Sequence, residues 1–131
     1  MILETEIFQF EPDITGISCA GRFTLGNRLS EMEGLVNSLI ADGVRKLVLD
    51  LTHVEVVDSA GLGVIIHISG AIEQKGGRLR ISGANEQAQR LFDITHTGRI
   101  LALDADLVTS VKNLQDGEAT TADRPPESTS L

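Results

Sequence analysis

The sequence predicts a single α/β domain whose mixed β-sheet opens with an antiparallel hairpin and carries packed α-helices, in the order β-β-α-β-α-β-α-β-α. The length of 131 residues fits one domain, and a composition that is 41% apolar and 23% charged allows a packed core. Short apolar runs typical of strands alternate with segments whose apolar residues recur at helical spacing. Strands separated by helices join through right-handed parallel crossovers, which places the later strands in one sheet.

The chain opens with two strands that form a hairpin. Residues 2–9 and 14–23 both alternate apolar with polar side chains, and the Glu11-Pro12-Asp13 segment between them is a turn signal. Cys19 lies on the apolar face of the second strand, and no other metal ligand stands near it in the sequence. We therefore expect Cys19 to be a small buried side chain.

The middle of the chain predicts a helix, a strand and a second helix. Asn27 or Ser30 caps the first helix, which ends at Asp42-Gly43, and the second helix ends at Gly76-Gly77. A dense apolar run over residues 46–51 predicts a central strand buried on both faces, and residues 54–57 continue toward the second helix. The inward stripes of the two helices are Leu29, Met32, Val36, Leu39 and Ile40, and then Leu62, Ile65, Ile66, Ser69 and Ile72.

The last third of the chain predicts a strand over residues 78–82, a short helix over 86–92, a strand over 99–103 and a helix capped by Asp104. The final helix carries Leu107, Val111 and Leu114 on one face. From residue 116 the chain is rich in Ser, Thr, Pro and Glu, a composition that buries too little surface to offset its ordering entropy. We expect a folded domain over residues 1–115 and a disordered tail over 116–131.

Charge and composition exclude several classes of function. The net charge of −8, from 11 basic and 19 acidic side chains, argues against binding to nucleic-acid phosphates or to an anionic membrane surface. The single cysteine excludes a disulfide framework and a cysteine-rich zinc site, and there is no nucleotide-binding loop motif. No apolar run is long enough to span a bilayer, and the first residues lack the pattern of a signal peptide. We therefore expect a cytoplasmic protein without a metal or cofactor.

One segment, Asp58-Ser59-Ala60-Gly61-Leu62-Gly63, joins the end of the central strand to the second helix. Asp58 or Ser59 can cap that helix, which accounts for either residue without a further role. Gly61 and Gly63 fall in the first helical turns, where each costs about 1 kcal/mol relative to Ala. Their presence indicates close approach by the fold itself, a ligand or a partner protein, and packing could explain one of them. Ser59 lies where the N–H groups of a helix start accommodate a phosphate.

This segment resembles the Asp-Ser-(Ser/Thr/Ala)-Gly-Leu-Gly sequence of the STAS domain family, named for sulphate transporters and anti-sigma factor antagonists. Residues 47–51, 21–23 and 76–79 resemble the strand before that sequence, the end of the second strand and a helix-to-strand turn of the family. The resemblance covers residues 4–114. The stand-alone bacterial anti-sigma factor antagonists fit best within the family.

The resemblance implies a regulatory protein rather than an enzyme. Family members of this kind bind a serine kinase of the histidine-kinase-like ATPase fold that doubles as an anti-sigma factor, and binding frees the sigma factor. The kinase phosphorylates the serine that follows the aspartate, which is Ser59 here, and the complex comes apart. A metal-dependent serine phosphatase resets the protein, and ATP belongs to the kinase. Ala60 stands where many members carry Ser or Thr, which leaves Ser59 as the one hydroxyl.

The resemblance also implies a partner-binding surface at one edge of the sheet. It combines the motif segment with the loop that enters the first helix. Its residues are Asp58, Ser59, Ala60, Gly61, Leu62 and Gly63, together with Thr24, Leu25, Gly26 and Asn27. Asp58 has two open roles, since it can cap the helix or orient Ser59 and contact the kinase.

Two other interpretations stay open. In the first, Ser59 is only a helix-cap residue, and the chain is an unswitched STAS docking module in a stress-sensing or lipid-transport complex. In the second, Ser59 is the nucleophile of a hydrolase, but Val57 replaces the glycine of a nucleophile elbow, and His96 lies too close to Asp93 for the usual triad. The histidines fit no metal motif, and we place them in loops (His53 and His96) or at the surface (His67).

Overall fold

The structure, a computed structural model, describes residues 2–116, which form five strands and four helices in the predicted order. The strands are β1 (Glu4–Phe10), β2 (Ile14–Phe23), β3 (Lys46–Val57), β4 (Arg78–Ser82) and β5 (Ala102–Asp104). The helices are α1 (Asn27–Ala41), α2 (Ser59–Gln74), α3 (Glu86–Ile94) and α4 (Leu107–Gln115), and a short 3-10 turn spans Thr97–Arg99. Apart from residue 116, the predicted tail lies outside the described residues.

The five strands form one mixed sheet in the order β1-β2-β3-β4-β5. Strands β1 and β2 pair antiparallel, and every later pair is parallel, so the predicted opening hairpin and mixed sheet are confirmed. The register brings Ile17, Leu49 and Ile81 side by side on adjacent strands. Parallel strands all end at one edge, so the exits of β2 and β3 lie next to each other there.

Helices cover the two faces of the sheet unequally. Buried residues of α1, α2 and α3 pack with Leu47 and Leu49 of β3 in the main core. Val48, which points to the opposite face, packs with Val111 and Leu114 of α4 in a smaller cluster. The central strand is therefore buried on both faces, as its dense apolar run predicts.

Cys19 is fully buried in the main core, which confirms the prediction of a small buried side chain. Burial raises the pKa of its thiol to about 12, and the charge of Asp50 adds to the effect. The thiol therefore stays protonated at neutral pH, and the side chain acts as an apolar group.

Two helix caps differ from the predictions. The N-cap of α1 is Gly26, which makes no side-chain cap, and Asn27 is already the first helical residue, so neither Asn27 nor Ser30 caps that helix. The N-cap of α4 is Asp106, whose Oδ1 accepts the N–H of Thr109 at 2.9 Å, and not Asp104. Asp104 belongs to β5 and is occupied by contacts of its own.

Asp104 binds three side chains from different parts of the fold. Its carboxylate accepts two hydrogen bonds from Arg80, at 2.6 and 3.1 Å, and further bonds from Ser110 at 2.7 Å and Asn113 at 2.9 Å. Burial alone would raise the pKa of Asp104, but these hydrogen bonds and the guanidinium charge outweigh it and hold the pKa below its ordinary value. The network joins β4, β5 and α4.

Two strand boundaries and the buried face of α2 also differ from the predictions. Strand β3 continues through residues 54–57 to Val57, so His53 lies in a strand and not in a loop. The last strand is Ala102–Asp104 and not residues 99–103, because residues 97–99 form the 3-10 turn. On α2, Ile68 is fully buried and Ile66 only partly, since the buried face follows Gly61, Ile65, Ile68 and Ile72.

No helix within residues 2–116 is long and apolar enough to cross a membrane.

Candidate functional site

The motif segment follows the end of β3, which extends beyond the last residue of its neighbour β4. Strand β3 has 12 residues, whereas β4 has 5 and its last residue, Ser82, pairs with Asp50. The far half of β3 therefore lacks β4 as a partner on that side. Side chains from the start of α3 take its place.

The side-chain amide of Gln87 makes the two hydrogen bonds to Val57 that the backbone of a neighbouring strand would make. Its Nε2 donates to the Val57 carbonyl at 2.8 Å, and the Val57 N–H donates to its Oε1 at 2.9 Å. Asn85 donates from Nδ2 to the Glu55 carbonyl at 2.9 Å and caps α3 by accepting the N–H of Ala88. These contacts hold the last residues before Asp58 in place.

Sequence reasoning missed the roles of Asn85 and Gln87. A polar pair at a helix start signals a cap at most, and nothing in its spacing identifies a strand end about 30 residues earlier in the chain. The signal available was the unequal length of the two apolar runs, which leaves one strand end without a neighbour.

Asp58 is the N-cap of α2, which settles the choice between Asp58 and Ser59 as the capping residue. Its Oδ1 accepts the N–H of Gly61 at 2.8 Å. Its Oδ2 accepts the N–H of Leu25 at 3.1 Å, from the loop between β2 and α1. The half-buried carboxylate therefore joins the two parts of the predicted surface.

Ser59 is the first residue of α2 and is exposed. The N–H groups of Ser59 and Ala60 have no acceptor within residues 2–116, as expected at the start of a helix. These N–H groups and the helix dipole create partial positive charge beside the hydroxyl. A phosphate at this position can accept hydrogen bonds from these N–H groups.

Gly61 and Gly63 have different surroundings. A Cβ built on Gly61 lies 2.2 Å from the carbonyl oxygen of Phe23, so close packing of α2 against the end of β2 requires this glycine. A Cβ built on Gly63 has no atom within 4 Å, and Gly63 is exposed. Packing within the fold therefore explains one of the two glycines and leaves Gly63 without a structural reason.

The loop from Thr24 to Asn27 lies beside the motif segment through its contact with Asp58. Leu25 is 81% exposed, and Gly26 and Asn27 are also exposed. Leu62, by contrast, is 6% exposed and packs in the main core, while Ala60 is partly buried against it. The accessible part of the predicted surface is therefore Ser59, Gly63 and the Leu25 loop.

No catalytic arrangement surrounds Ser59 in the described part of the chain. Its hydroxyl makes no hydrogen bond there to a histidine or a carboxylate. His67 is exposed, as predicted, and pairs through Nδ1 with Glu33 of α1, while His96 lies in the turn after α3. Among residues 2–116 no group of three or more His, Cys, Asp or Glu side chains is placed to hold a metal ion.

The sequence and structure of the chain match those of known proteins. The family model for the STAS domain matches residues 8–112. The anti-sigma-B factor antagonist of Staphylococcus aureus is 34% identical over 65 residues, which are 50% of this chain and 60% of that protein. The chain spans 54–65% of the length of the curated relatives that it matches in Thermotoga and Staphylococcus aureus.

Solved structures extend the similarity over most of the chain. A crystal structure of a candidate anti-sigma factor antagonist from Thermotoga maritima has a TM-score of 0.75 at 22% identity, and the match covers 86% of this chain and 94% of that one. The Bacillus cell fate determinant SpoIIAA, in its phosphorylated form, has a TM-score of 0.68 at 12% identity, with 85% and 99% coverage. At these identities the structural matches show a shared fold.

Proposed function

The chain belongs to the STAS domain family, and from that premise we propose that it is a bacterial anti-sigma factor antagonist. In this role it binds an anti-sigma serine kinase of the histidine-kinase-like ATPase fold and thereby frees a sigma factor in the cytoplasm. Phosphorylation of Ser59 switches binding off, and a serine phosphatase restores it. The chain is the kinase's substrate and not itself an enzyme.

The observation that carries this proposal is the exposed position of Ser59 at the start of α2, between the capping residue Asp58 and the exposed Gly63. A kinase can reach the hydroxyl without unfolding the helix. A partner can pack closely there because neither Ser59 nor Gly63 projects far from the helix. The named function of the relative from Staphylococcus aureus supports the same role.

The switch step is a phosphoryl transfer in which the kinase supplies ATP. The Ser59 oxygen attacks the γ-phosphorus, a new O–P bond forms, the bond to the ADP oxygen breaks, and a base of the kinase takes the hydroxyl proton. The phosphatase later transfers the phosphoryl group to water. At neutral pH the phosphate adds about 1.5 to 2 negative charges to a surface that the partner must cover.

Such a charge is sufficient to separate a complex. Covering the phosphate removes its water, and any carboxylate of the partner nearby repels it. A cost of about 3 kcal/mol lowers affinity more than 100-fold, since each 1.4 kcal/mol corresponds to a factor of ten.

The test is to purify the kinase with the tagged chain from the native host and to measure its affinity for three variants. Ser59→Ala should bind like the wild type and resist release, whereas Ser59→Asp should bind at least about tenfold more weakly because of its fixed charge. Ser38→Asp, on an exposed serine of α1, is the matched control and should bind normally. Binding of Ser59→Asp at wild-type affinity would instead indicate the unswitched docking module.

A further inference from the structure

Asp58 connects two parts of the partner-binding surface that lie 33 residues apart in the sequence. Its Oδ2 accepts the N–H of Leu25, and its Oδ1 accepts the N–H of Gly61. One carboxylate thus holds both the loop that leads into α1 and the first turn of α2. The carboxylate of Asp58 is therefore a direct contact between the two segments.

The Leu25 loop has few other contacts that fix it. The leucine side chain is 81% exposed and packs little against the fold. Backbone hydrogen bonds flank the loop, from Asp58 N–H to the Phe23 carbonyl at 3.4 Å and from Ser30 N–H to the Gly26 carbonyl at 3.2 Å. The N–H of Leu25 itself relies on the carboxylate of Asp58.

A phosphate on Ser59 is placed directly beside this carboxylate. Ser59 follows Asp58 in the chain, and the N–H groups of Ser59 and Ala60 are free to hold phosphate oxygens at the helix start. Two like charges a few ångström apart then repel each other. The contact to Leu25 is the longer of the two that Asp58 makes, at 3.1 Å against 2.8 Å, and it lies in the more exposed position. We expect it to yield first.

We propose that Asp58 transmits the state of Ser59 to Leu25, so that phosphate on Ser59 releases the Leu25 loop as well as adding charge. The inference rests on the proposed function, in which Ser59 is the modified residue. An ordered loop loses less conformational entropy when a partner binds it than a mobile loop does. Release of the Leu25 loop therefore weakens binding at a second point of the surface.

The test uses the full chain alone, with phosphoserine encoded at position 59 during translation, and measures amide hydrogen exchange by NMR. We expect the Leu25 amide to exchange roughly three- to tenfold faster than in the unmodified chain, which is the protection that one hydrogen bond of ordinary net strength gives. The Thr109 amide is the internal control. The N–H of Thr109 also donates to the carboxylate of a helix cap, Asp106. The residue after that cap is Leu107, which cannot be phosphorylated, so the exchange rate of the Thr109 amide should not change.

The variant Asp58→Asn shows whether the carboxylate is the connection. The amide has one accepting oxygen, so it can keep the cap on Gly61 and lose the contact to Leu25. The Leu25 amide should exchange faster in this variant, and phosphoserine at position 59 should then add nothing. An unchanged Leu25 amide in the phosphorylated chain overturns the inference, and so does an undiminished effect of phosphoserine in Asp58→Asn.

These outcomes are separate from the fate of the proposed function. If the exchange rate of the Leu25 amide is unchanged but the phosphorylated chain loses its partner, the result supports the phosphorylation switch and contradicts the connection through Asp58. If the Leu25 amide exchanges faster in the phosphorylated chain but the partner binds equally well, the result supports the connection through Asp58 and contradicts the phosphorylation switch.

Discussion

Gly61 and Gly63 lie two residues apart on α2, and their surroundings assign them different roles. Gly61 lets the helix start approach the Phe23 carbonyl, whereas the position of Gly63 opens to solvent. A glycine inside a helix costs free energy relative to alanine, and no contact of Gly63 within residues 2–116 requires one there. Because Gly63 lies one turn from the exposed Ser59, its role in partner binding is a prediction.

Alanine substitutions at Gly61 and Gly63 separate these two roles. Gly61→Ala should lower the free energy of unfolding by about 1–3 kcal/mol, because its Cβ meets a backbone oxygen that cannot move aside cheaply. Gly63→Ala should raise it by up to about 1 kcal/mol through helix propensity, yet weaken binding to the kinase. Urea unfolding and a titration with the kinase measure the two effects.

Gly70→Ala is the matched control for this pair. Gly70 lies on the same helix, is exposed, and has no atom within 4 Å of a built Cβ. The substitution should stabilise the chain as Gly63→Ala does and leave binding intact. If folded Gly63→Ala and Gly70→Ala bind the kinase with equal affinity, Gly63 does not belong to the partner-binding surface.

The contacts of Asp104 join strands β4 and β5 to helix α4. Its side chain is 5% exposed and binds Arg80 of β4 together with Ser110 and Asn113 of α4. Strand β5 has only three residues, so these side-chain bonds supply much of what fixes it at the sheet edge.

The lowered pKa of Asp104 gives a prediction for acid stability. A carboxyl group whose pKa is lower in the folded chain than in the unfolded chain stabilises the fold above its unfolded pKa, which is near 3.8, and this contribution is lost as pH falls through the folded pKa. Asp104→Asn should lower the free energy of unfolding at pH 7 by about 2–4 kcal/mol, since it leaves Arg80 without its charged partner. In Asp104→Asn the free energy of unfolding should also decrease less steeply than in the wild type as the pH falls below 4.

Asp106→Asn is the comparison variant for this experiment. Asp106 is exposed and caps α4, and asparagine caps helices about as well as aspartate. The hydrogen bonds from Thr109 also lower the pKa of Asp106, but solvent screens this exposed carboxylate. In urea unfolding across the acid range, Asp104→Asn should therefore change the pH dependence more than Asp106→Asn does. Equal pH dependence of Asp104→Asn and the wild type would mean that this network does not stabilise the folded chain.

The sequence predicts the order of the elements and the mixed sheet, because both follow from the periodicity of apolar residues along the chain. The apolar run over residues 46–51 and the helical spacing of α1 and α2 are local patterns that burial enforces. The caps were predicted less well, because Asp104 and Asp106 look equivalent until the fold brings Arg80 to one of them.

The sequence identifies the segment that forms the candidate site, but it does not predict which distant residues contact that segment. The motif from Asp58 to Gly63 is contiguous, so its residues identify it in the sequence. The bonds that connect Asp58 to Leu25 and Gln87 to Val57 join residues 33 and 30 positions apart, and only the packed fold sets such pairs. Their roles in partner binding stay predictions.

If phosphate on Ser59 ends the proposed complex with the kinase, the complex should disappear after ATP is added. The purified chain and its kinase are mixed with Mg²⁺ and ATP, and native mass spectrometry records the complex while peptide mapping locates the phosphate. We predict one phosphate, on Ser59, and loss of the complex at the rate at which the phosphate appears. A complex that persists with Ser59 fully phosphorylated, or one that separates while Ser59 stays unmodified, would contradict the account.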